Sequence, residues 1–315
     1  MSTPPSLADL VVIGDASIDH YIRVPHLAQN DNKAIGGYLG ALGGGMSANL
    51  AAATAALGAK TRLITKVGVD PEGTEALQIL QSLGVETSFS VRDYSHRTWL
   101  CFIQLDDTGE KALTGADTGI KIPKLNEIDL DAVRRARIVA PLADDLAWAT
   151  DIARVATEAG ARVAIDLEPD AFHLGDAALA ELLALTDIAF LNEDSAARFA
   201  GDDHDRAAQA VHAYGPGTVV VSRGQAGAYC SVADGPIFRA TQTATADVVD
   251  TTGAGDALAG AFLAGQLQGH SPAESLQHAV AQATAVVTHI GSRTYLNQPN
   301  PHFLNDYPVS VERIR

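Results

Sequence analysis

The chain has 315 residues, with 38 Asp and Glu against 22 Lys and Arg, a formal charge of −16 and a pI near 4.9. That balance argues against nucleic acid or an anionic membrane as the main partner, since both require a net basic face. At 47% hydrophobic and 19% charged residues, the chain can bury a full core and is not a disordered polymer.

About 100 to 200 residues per domain allows one large domain or two smaller ones. Cys101 and Cys230 stand far apart and outside any C-x-x-C pattern, which supports neither a disulfide framework nor a cysteine-based zinc site. Met1 to Leu10 lacks the pattern of a signal peptide, and no run approaches the roughly 18 apolar residues of a membrane span. A soluble, cytoplasmic protein is expected.

In chain order, Leu10 to Ile13 is the first of several short β-branched runs, followed by Arg137 to Ala140, Arg162 to Ile165, Asp187 to Leu191 and Thr218 to Val221. Runs apolar on both faces are strands buried between two helical layers, so an α/β fold with a three-layer αβα core and a mostly parallel sheet is expected. After the first strand, Gly14-Asp15-Ala16-Ser17-Ile18-Asp19 falls at the sheet edge where open α/β folds bind ligands. Asp15 and Asp19 there suit adjacent hydroxyls, or else a solvated turn.

Residues 16–43 are rich in glycine and poor in helical period. Gly43-Gly44-Gly45 then runs into Met46-Ser47-Ala48-Asn49 and an alanine-rich helix stopped at Gly58. The glycines let a ligand approach the backbone, and Asn49 offers a donor and an acceptor to a polyol; a flexible joint before a core helix reads equally well. Asp70-Pro71 opens a helix with the apolar stripe Ala76, Leu77, Leu80 and Leu83 and a stop at Gly84. Thr98 to Leu105, the turn Asp106 to Gly109, and Glu110 to Thr114 read as a hairpin. The expected division is therefore a core of 1–15, 44–96 and 118–315 with a discontinuous β-layer of 16–43 and 97–117. That layer is either a lid over a cleft or an edge extension of the sheet.

Leu146, Ala149, Ile152 and Ala156 form another helical stripe, and Ser271-Pro272-Ala273-Glu274 reads as a capping box opening a helix that buries Leu276, Ala279, Val280, Ala283 and Val287 and stops at Gly291. The densest motif precedes it: Asp250-Thr251-Thr252-Gly253-Ala254-Gly255-Asp256, followed by an apolar helix. Glycines before a helix leave backbone N–H groups converging on one point, where the dipole adds positive charge and attracts phosphate. Asp256 beside that point either caps the helix or accepts the proton of an attacking hydroxyl while the amides of 254–256 hold a transferring phosphoryl group. No P-loop, full dinucleotide fingerprint, H-E-x-x-H or G-x-S-x-G occurs.

Taken in order, Gly14-x4-Asp19, Gly44-Gly45-x3-Asn49, Asn192-Glu193, Ser222-Arg223-Gly224-x2-Gly227 and Asp250 to Asp256 resemble the ribokinase (PfkB-type) family of carbohydrate kinases across nearly the whole chain. The resemblance implies a ribokinase-like core with a small β-sheet lid, and MgATP-dependent phosphorylation of a sugar or nucleoside hydroxyl. It implies Asp256 as base with Gly253, Ala254 and Gly255 as the anion hole, and Asp15, Asp19, Gly44, Gly45 and Asn49 around the sugar. Asn192, Ser222, Gly224, Gly227 and Thr251 would lie by the nucleotide. Asp250 and Thr252 would serve a monovalent cation site, potassium first; Asn192 falls where the family reaches the phosphates and their magnesium shell, with Glu193 or Asp194 as the substitute for the family's second acid.

Four departures bear on this. Ser195 replaces the second acid of Asn-x-x-Glu; Asp166-Leu167-Glu168-Pro169-Asp170 stands where many relatives have Asp-x-Asn-x-Arg; and Met46 and Ala143 replace a lysine and a glutamate of ribokinase. A ketose, keto-sugar acid or sulfosugar is therefore expected ahead of ribose, with a nucleoside kinase or a catalytically silent sugar or nucleotide sensor as alternatives. Lys33, Arg97 and Lys111 fall in the lid, either facing an anionic substrate or facing water. Open lid edges suggest a homodimer.

Overall fold

The computed structural model describes residues 8–29, 31–107, 111–201, 203–298 and 303–315. The expected turn at 106–109 and the start of its second strand at Glu110 lie partly outside the described residues, as does the side chain of Asp170.

The chain opens with β1 (Leu10–Gly14), β2 (Ser17–Val24) and β3 (Gly37–Gly44), then α1 (Met46–Ala56), β4 (Thr61–Gly68), α2 (Pro71–Ser82) and β5 (Val91–Asp93). A hairpin of β6 (Leu100–Asp106) and β7 (Lys111–Ala116) follows. The middle is α3 (Leu130–Arg134), β8 (Ile138–Pro141), α4 (Leu146–Glu158), β9 (Arg162–Leu167), α5 (Asp176–Ala184), β10 (Ile188–Leu191), α6 (Glu193–Ala200), α7 (His204–His212) and β11 (Thr218–Ser222). The last third holds β12 (Ala228–Val232), β13 (Ile237–Gln242), α8 (Ala254–Gln268), α9 (Pro272–Val287), α10 (Phe303–Asp306) and β14 (Val309–Arg313).

A ten-stranded sheet runs β14-β13-β12-β11-β10-β9-β8-β1-β4-β5. It is parallel from β5 through β11, as the doubly apolar runs require, and antiparallel from β11 to β14. Alternation along β1 shows why both faces are apolar. Leu10 and Val12 join a core with α1, α8 and α9, while Val11 and Ile13 join another with α4 and α5. The layers are therefore αβα.

The segments set apart by their lack of βα rhythm form a separate four-stranded sheet, β3-β2-β6-β7. It is not an extension of the large sheet, whose edges are β5 and β14. The expected caps are present. Asp70 accepts from the Gly73 amide at 2.7 Å, and Ser271 and Glu274 close their capping box. The last long helix differs from expectation, ending at Val287 rather than running to Gly291. The loop that follows turns back toward β3, and Gly291 N donates to the buried Asp250 carboxylate at 2.9 Å. Among the described residues no helix is long and apolar enough to cross a membrane.

Candidate active site

Four segments converge at the carboxyl end of the parallel strands: the β1–β2 corner, the β3–α1 turn, the β13–α8 loop and the loop after α9. The first three line a cavity of about 550 Å³, and the loop after α9 braces them from behind through Ser292 and Arg293. Its floor is the start of α8. Gly253 is the N-cap in a left-handed conformation (φ 81°), and an added Cβ would meet Ser292 Cβ at 2.3 Å, so position 253 demands glycine on both counts. No side chain caps α8; Ala254 N makes one long bond to Thr251 O at 3.4 Å, the amides that follow it point out of the helix start as a phosphate site requires, and Gly255 faces open space.

Asp256 is buried on the first turn of α8, where its Oδ2 accepts from Asn49 Nδ2 at 2.8 Å. Ser292 Oγ donates in turn to Asn49 Oδ1 at 2.8 Å. This chain fixes the amide of Asn49 so that its NH2 faces the acid. Burial pushes the Asp256 carboxyl well above the usual range, opposed by the Asn49 hydrogen bond and reinforced by the nearby Asp166, Asp15 and Glu168 charges. A desolvated carboxyl beside a helix start suits proton transfer.

The opposite end holds Asp15 and Asp19. Asp15 Oδ1 accepts from Ser47 N at 2.9 Å and Asp19 Oδ1 from Ser17 Oγ at 2.7 Å. Burial raises both carboxyls. Gly44 and Gly45 make room for protein before they make room for ligand. A Cβ at 44 would overlap the Asp19 carboxylate, and one at 45 (φ 95°) would meet Ala16 Cα at 2.7 Å. Gly45 and Asn49 line the cavity, whereas Gly44 does not.

A second cavity of about 220 Å³ adjoins the first and shares Ser222, Thr251, Ala254, Gly255 and Leu258 with it. Gly224 and Gly227 line it from the β11–β12 turn, and Val248, Val280, Ala283 and Val287 form its apolar side. The α9 stripe, expected to be wholly core, thus divides: Leu276 and Ala279 are buried, while Ala283 and Val287 are half-open to this cavity. Helical period reports an apolar neighbour without saying whether it is protein or an empty slot.

Asn192 lines the main cavity with Asp166 and Glu168. Its Oδ1 caps α6 through Ser195 N at 2.8 Å, and its Nδ2 donates to Glu168 Oε2 at 3.3 Å. Glu193 lies elsewhere, exposed and 3.4 Å from Arg223 Nε. The hard-oxygen set facing the α8 amides is therefore Asp166, Glu168 and Asn192, donors of the type magnesium takes, and Glu193 is not part of it. Asp250 is buried outside the cavity wall, where Oδ1 accepts from Thr252 N (2.9 Å) and Oγ1 (2.6 Å) and Oδ2 accepts from Gly291 N. Those bonds brace the loop that presents Thr251 and Thr252 to the cavity.

Of Lys33, Arg97 and Lys111, Lys33 is exposed outside the cavity and Arg97 pairs with Glu72. Lys111 lines the cavity and donates from Nζ to Thr252 Oγ1 at 3.0 Å. Burial lowers its ammonium pKa, against the pull of Asp250 and Asp256.

Sequence reasoning missed Ser292 and Arg293. Arg293 is buried, donating from Nε and Nη2 to the Gly43 and Gly44 carbonyls at 3.2 and 2.7 Å. Burial lowers its pKa to about 10, opposed by Asp19, Asp15 and Asp256. The available signal was an arginine directly after Gly291-Ser292 among small residues. Lys121, Trp99 and Cys101, which also line the cavity, carried no motif at all.

A helix start with no side-chain cap, a buried carboxylate beside it and two joined cavities at the sheet edge are the features a phosphate-handling enzyme site requires. Over residues 7–299 the chain matches the pfkB family of carbohydrate kinases, and it belongs to that family. It is 31% identical over 281 residues to the ATP-dependent ribose-1-phosphate kinase of Halopiger xanaduensis, spanning 89% of this chain and 92% of that protein. It is 29% identical to the cytidine kinase of Thermococcus kodakarensis, spanning 89% and 96% of the two chains. Arabidopsis thaliana ribokinase, solved with ribose and ATP, superposes with a TM-score of 0.76 at 25% identity over 93% of this chain and 100% of that one. The chain is accordingly a phosphotransferase of the sugar and nucleoside kinase type.

Proposed function

We propose that the protein transfers the γ-phosphoryl group of MgATP to a hydroxyl of a neutral, hydroxyl-rich sugar, a ketose ahead of ribose. The observation that carries this reading is Asp256, buried at the first turn of α8 and aimed by Asn49, next to amides with no other cap. The second cavity, apolar on one side and glycine-lined on the other, suits a purine and its ribose. Its shared wall leads the phosphates onto α8.

Asp15 and Asp19 accept hydrogen bonds from the sugar. The acceptor end carries these two carboxylates, and its lysine, Lys121, is paired with Asp144, so a neutral polyol suits it better than an acid or sulfonate. Ionised Asp256 takes the proton of the attacking hydroxyl as the new P–O bond forms and the bond to the bridging oxygen breaks, releasing ADP. The amides of Ala254, Gly255 and Asp256 hold the charge on the transferring group. Magnesium bound with the nucleotide would neutralise its β- and γ-oxygens, and Asp166, Glu168 and Asn192 are the residues that would hold it. Potassium at the Asp250–Thr252 loop belongs to the same proposal.

The four-stranded sheet, residues 16–43 and 97–117, acts as a lid that excludes water. Its outer face stacks His20 on Tyr38 and Phe102, with Tyr38 63% and Phe102 42% exposed. An aromatic face of this kind supports pairing with a second copy of the chain.

The test is ADP release from MgATP across neutral ketoses, aldoses, keto-sugar acids, sulfosugars and nucleosides. The highest kcat/KM is expected with a neutral ketose, and a preference for the acids would refute the neutral acceptor. Binding without turnover on any acceptor would leave a silent sensor. One observation favours a nucleoside instead: Trp99, Cys101 and Leu113 form an apolar wall on the lid side of the cavity, near Asp19. Trp99→Ala would then raise the nucleoside KM at least about tenfold, the loss of one aromatic contact, with little effect on free sugars.

A further inference from the structure

Resting on the kinase reading above, we propose that Lys111 is the lid's phosphoryl contact: its ammonium bonds the γ-phosphoryl oxygens opposite the α8 amides, so that the lid completes the catalytic site. Lys111 begins β7 and pairs with Leu105, while Leu113, two residues on, pairs with Ile103. Leu113 and Lys111 both line the main cavity, which fixes the inward face of the strand by alternation. The side chain reaches Thr252 Oγ1 at 3.0 Å. Thr252 in turn donates to Asp250 Oδ1 at 2.6 Å. Nζ is thereby set two residues ahead of Ala254, the first residue of α8.

An ammonium has three N–H donors, and the bond to Thr252 uses one. The other two are left for the cavity that Lys111 lines together with Ala254, Gly255 and Asp256. Of the two lysines lining this cavity, Lys121 is already paired with the Asp144 carboxylate, whereas the partner of Lys111 is a neutral hydroxyl. A cation held by a hydroxyl in a site that attracts anions is placed for an anion that arrives with the substrate. In the transfer Lys111 exchanges no proton. It balances negative charge on the three phosphoryl oxygens while the acceptor O–P bond forms, the bridging O–P bond breaks and the acceptor proton moves to Asp256. Because the ammonium is carried by the lid, closure and charge neutralisation become one event.

The test compares the full chain with Lys111→Met and Lys111→Arg. Calorimetry in MgCl2 measures binding of ADP and of the non-hydrolysable triphosphate AMP-PNP. Lys111→Met should lose about 10- to 100-fold in AMP-PNP affinity, as for one charge-assisted hydrogen bond, with ADP affinity within twofold of the parent and Lys111→Arg recovering part of the loss. With an accepted substrate, kcat should fall about 100-fold or more and the acceptor KM by no more than threefold in either direction. Equal losses for ADP and AMP-PNP would reduce Lys111 to a structural strut and overturn the proposal. So would a raised acceptor KM with kcat preserved, which would make it a contact for the acceptor. The nucleotide comparison needs no acceptor and so decides the role of Lys111 even if the substrate panel rejects the kinase reading, which parent turnover tests separately.

Discussion

Replacing Asp256 by asparagine separates the two consequences of burying an acid at the start of α8. The substitution keeps size and shape, and the Asn49 Nδ2 donor 2.8 Å away can still meet an amide oxygen. What is lost is proton acceptance. General-base catalysis is worth about 10²- to 10⁴-fold, so kcat should fall within that range while nucleotide affinity holds. The stability effect has the opposite sign. The folded-state pKa of Asp256 lies well above the ordinary carboxylate value of 3.8, so the native state binds more protons than the unfolded one between those two values. Stability contributed by this site therefore falls as pH rises through 3.8, levelling off only above the folded pKa. At pH 8 the parent has lost the stability contributed by this site and Asp256→Asn, which does not titrate, has not. The variant should melt at or above the parent temperature at pH 8, and the difference should vanish near pH 3.5. The same shift places the acid limb of the parent kcat/KM profile above the ordinary carboxylate range. ADP release and tryptophan-monitored melting give both readouts. Activity within about tenfold of the parent, or a variant that melts several degrees lower at pH 8, would refute the assignment of Asp256 as a desolvated base.

Three other substitutions probe the surroundings. Gly253→Ala must place a Cβ 2.3 Å from Ser292 Cβ at φ 81°; it should abolish turnover and nucleotide binding together, and retention of either would show that the α8 start is more plastic than the structure allows. Arg293→Ala leaves the Gly43 and Gly44 carbonyls without their donors and should cost about 2–4 kcal/mol in denaturant unfolding, as expected for two buried unpaired acceptors. A loss below 0.5 kcal/mol would show that water replaces the guanidinium. Phe102→Glu puts a charge into the outer lid stack with His20 and should convert a dimer to a monomer by light scattering while leaving nucleotide affinity unchanged; a parent that is already monomeric would remove the dimer proposal.

Local chemistry made much of the fold legible. Caps at Asp70 and Ser271 and the doubly apolar strands each depend on residues close in sequence, and each is present. The antiparallel end of the large sheet was not legible, because β12 and β13 are half-polar and β14 pairs with β13 across some seventy residues of chain. The site divides along the same line. The segments with a glycine signature, 14–19, 43–49 and 250–256, were found. Arg293 and Lys121 were not, because an isolated cation acquires meaning only from what folding sets beside it.

The two central glycines answer to packing as well as to a ligand. Gly44 and Gly45 stand where a sugar would approach, yet what an added Cβ strikes is Asp19 and the Ala16 backbone. The glycines let the lid strand β3 cross close above the β1–β2 corner, and the ligand site results from that crossing. Arg293 secures the same crossing from below through the Gly43 and Gly44 carbonyls, and Ser292 beside it aims Asn49 at Asp256. Strand β3, the loop after α9, Asn49 and Asp256 thus share one hydrogen-bonded junction, so on the proposed mechanism a change that loosens Arg293 should alter kcat as well as stability. Arg293→Lys, which keeps the charge but can serve only part of the forked geometry, is expected to lose more in kcat than in nucleotide affinity. Were it to weaken nucleotide binding alone, the junction would be a scaffold for the second cavity and not for the base.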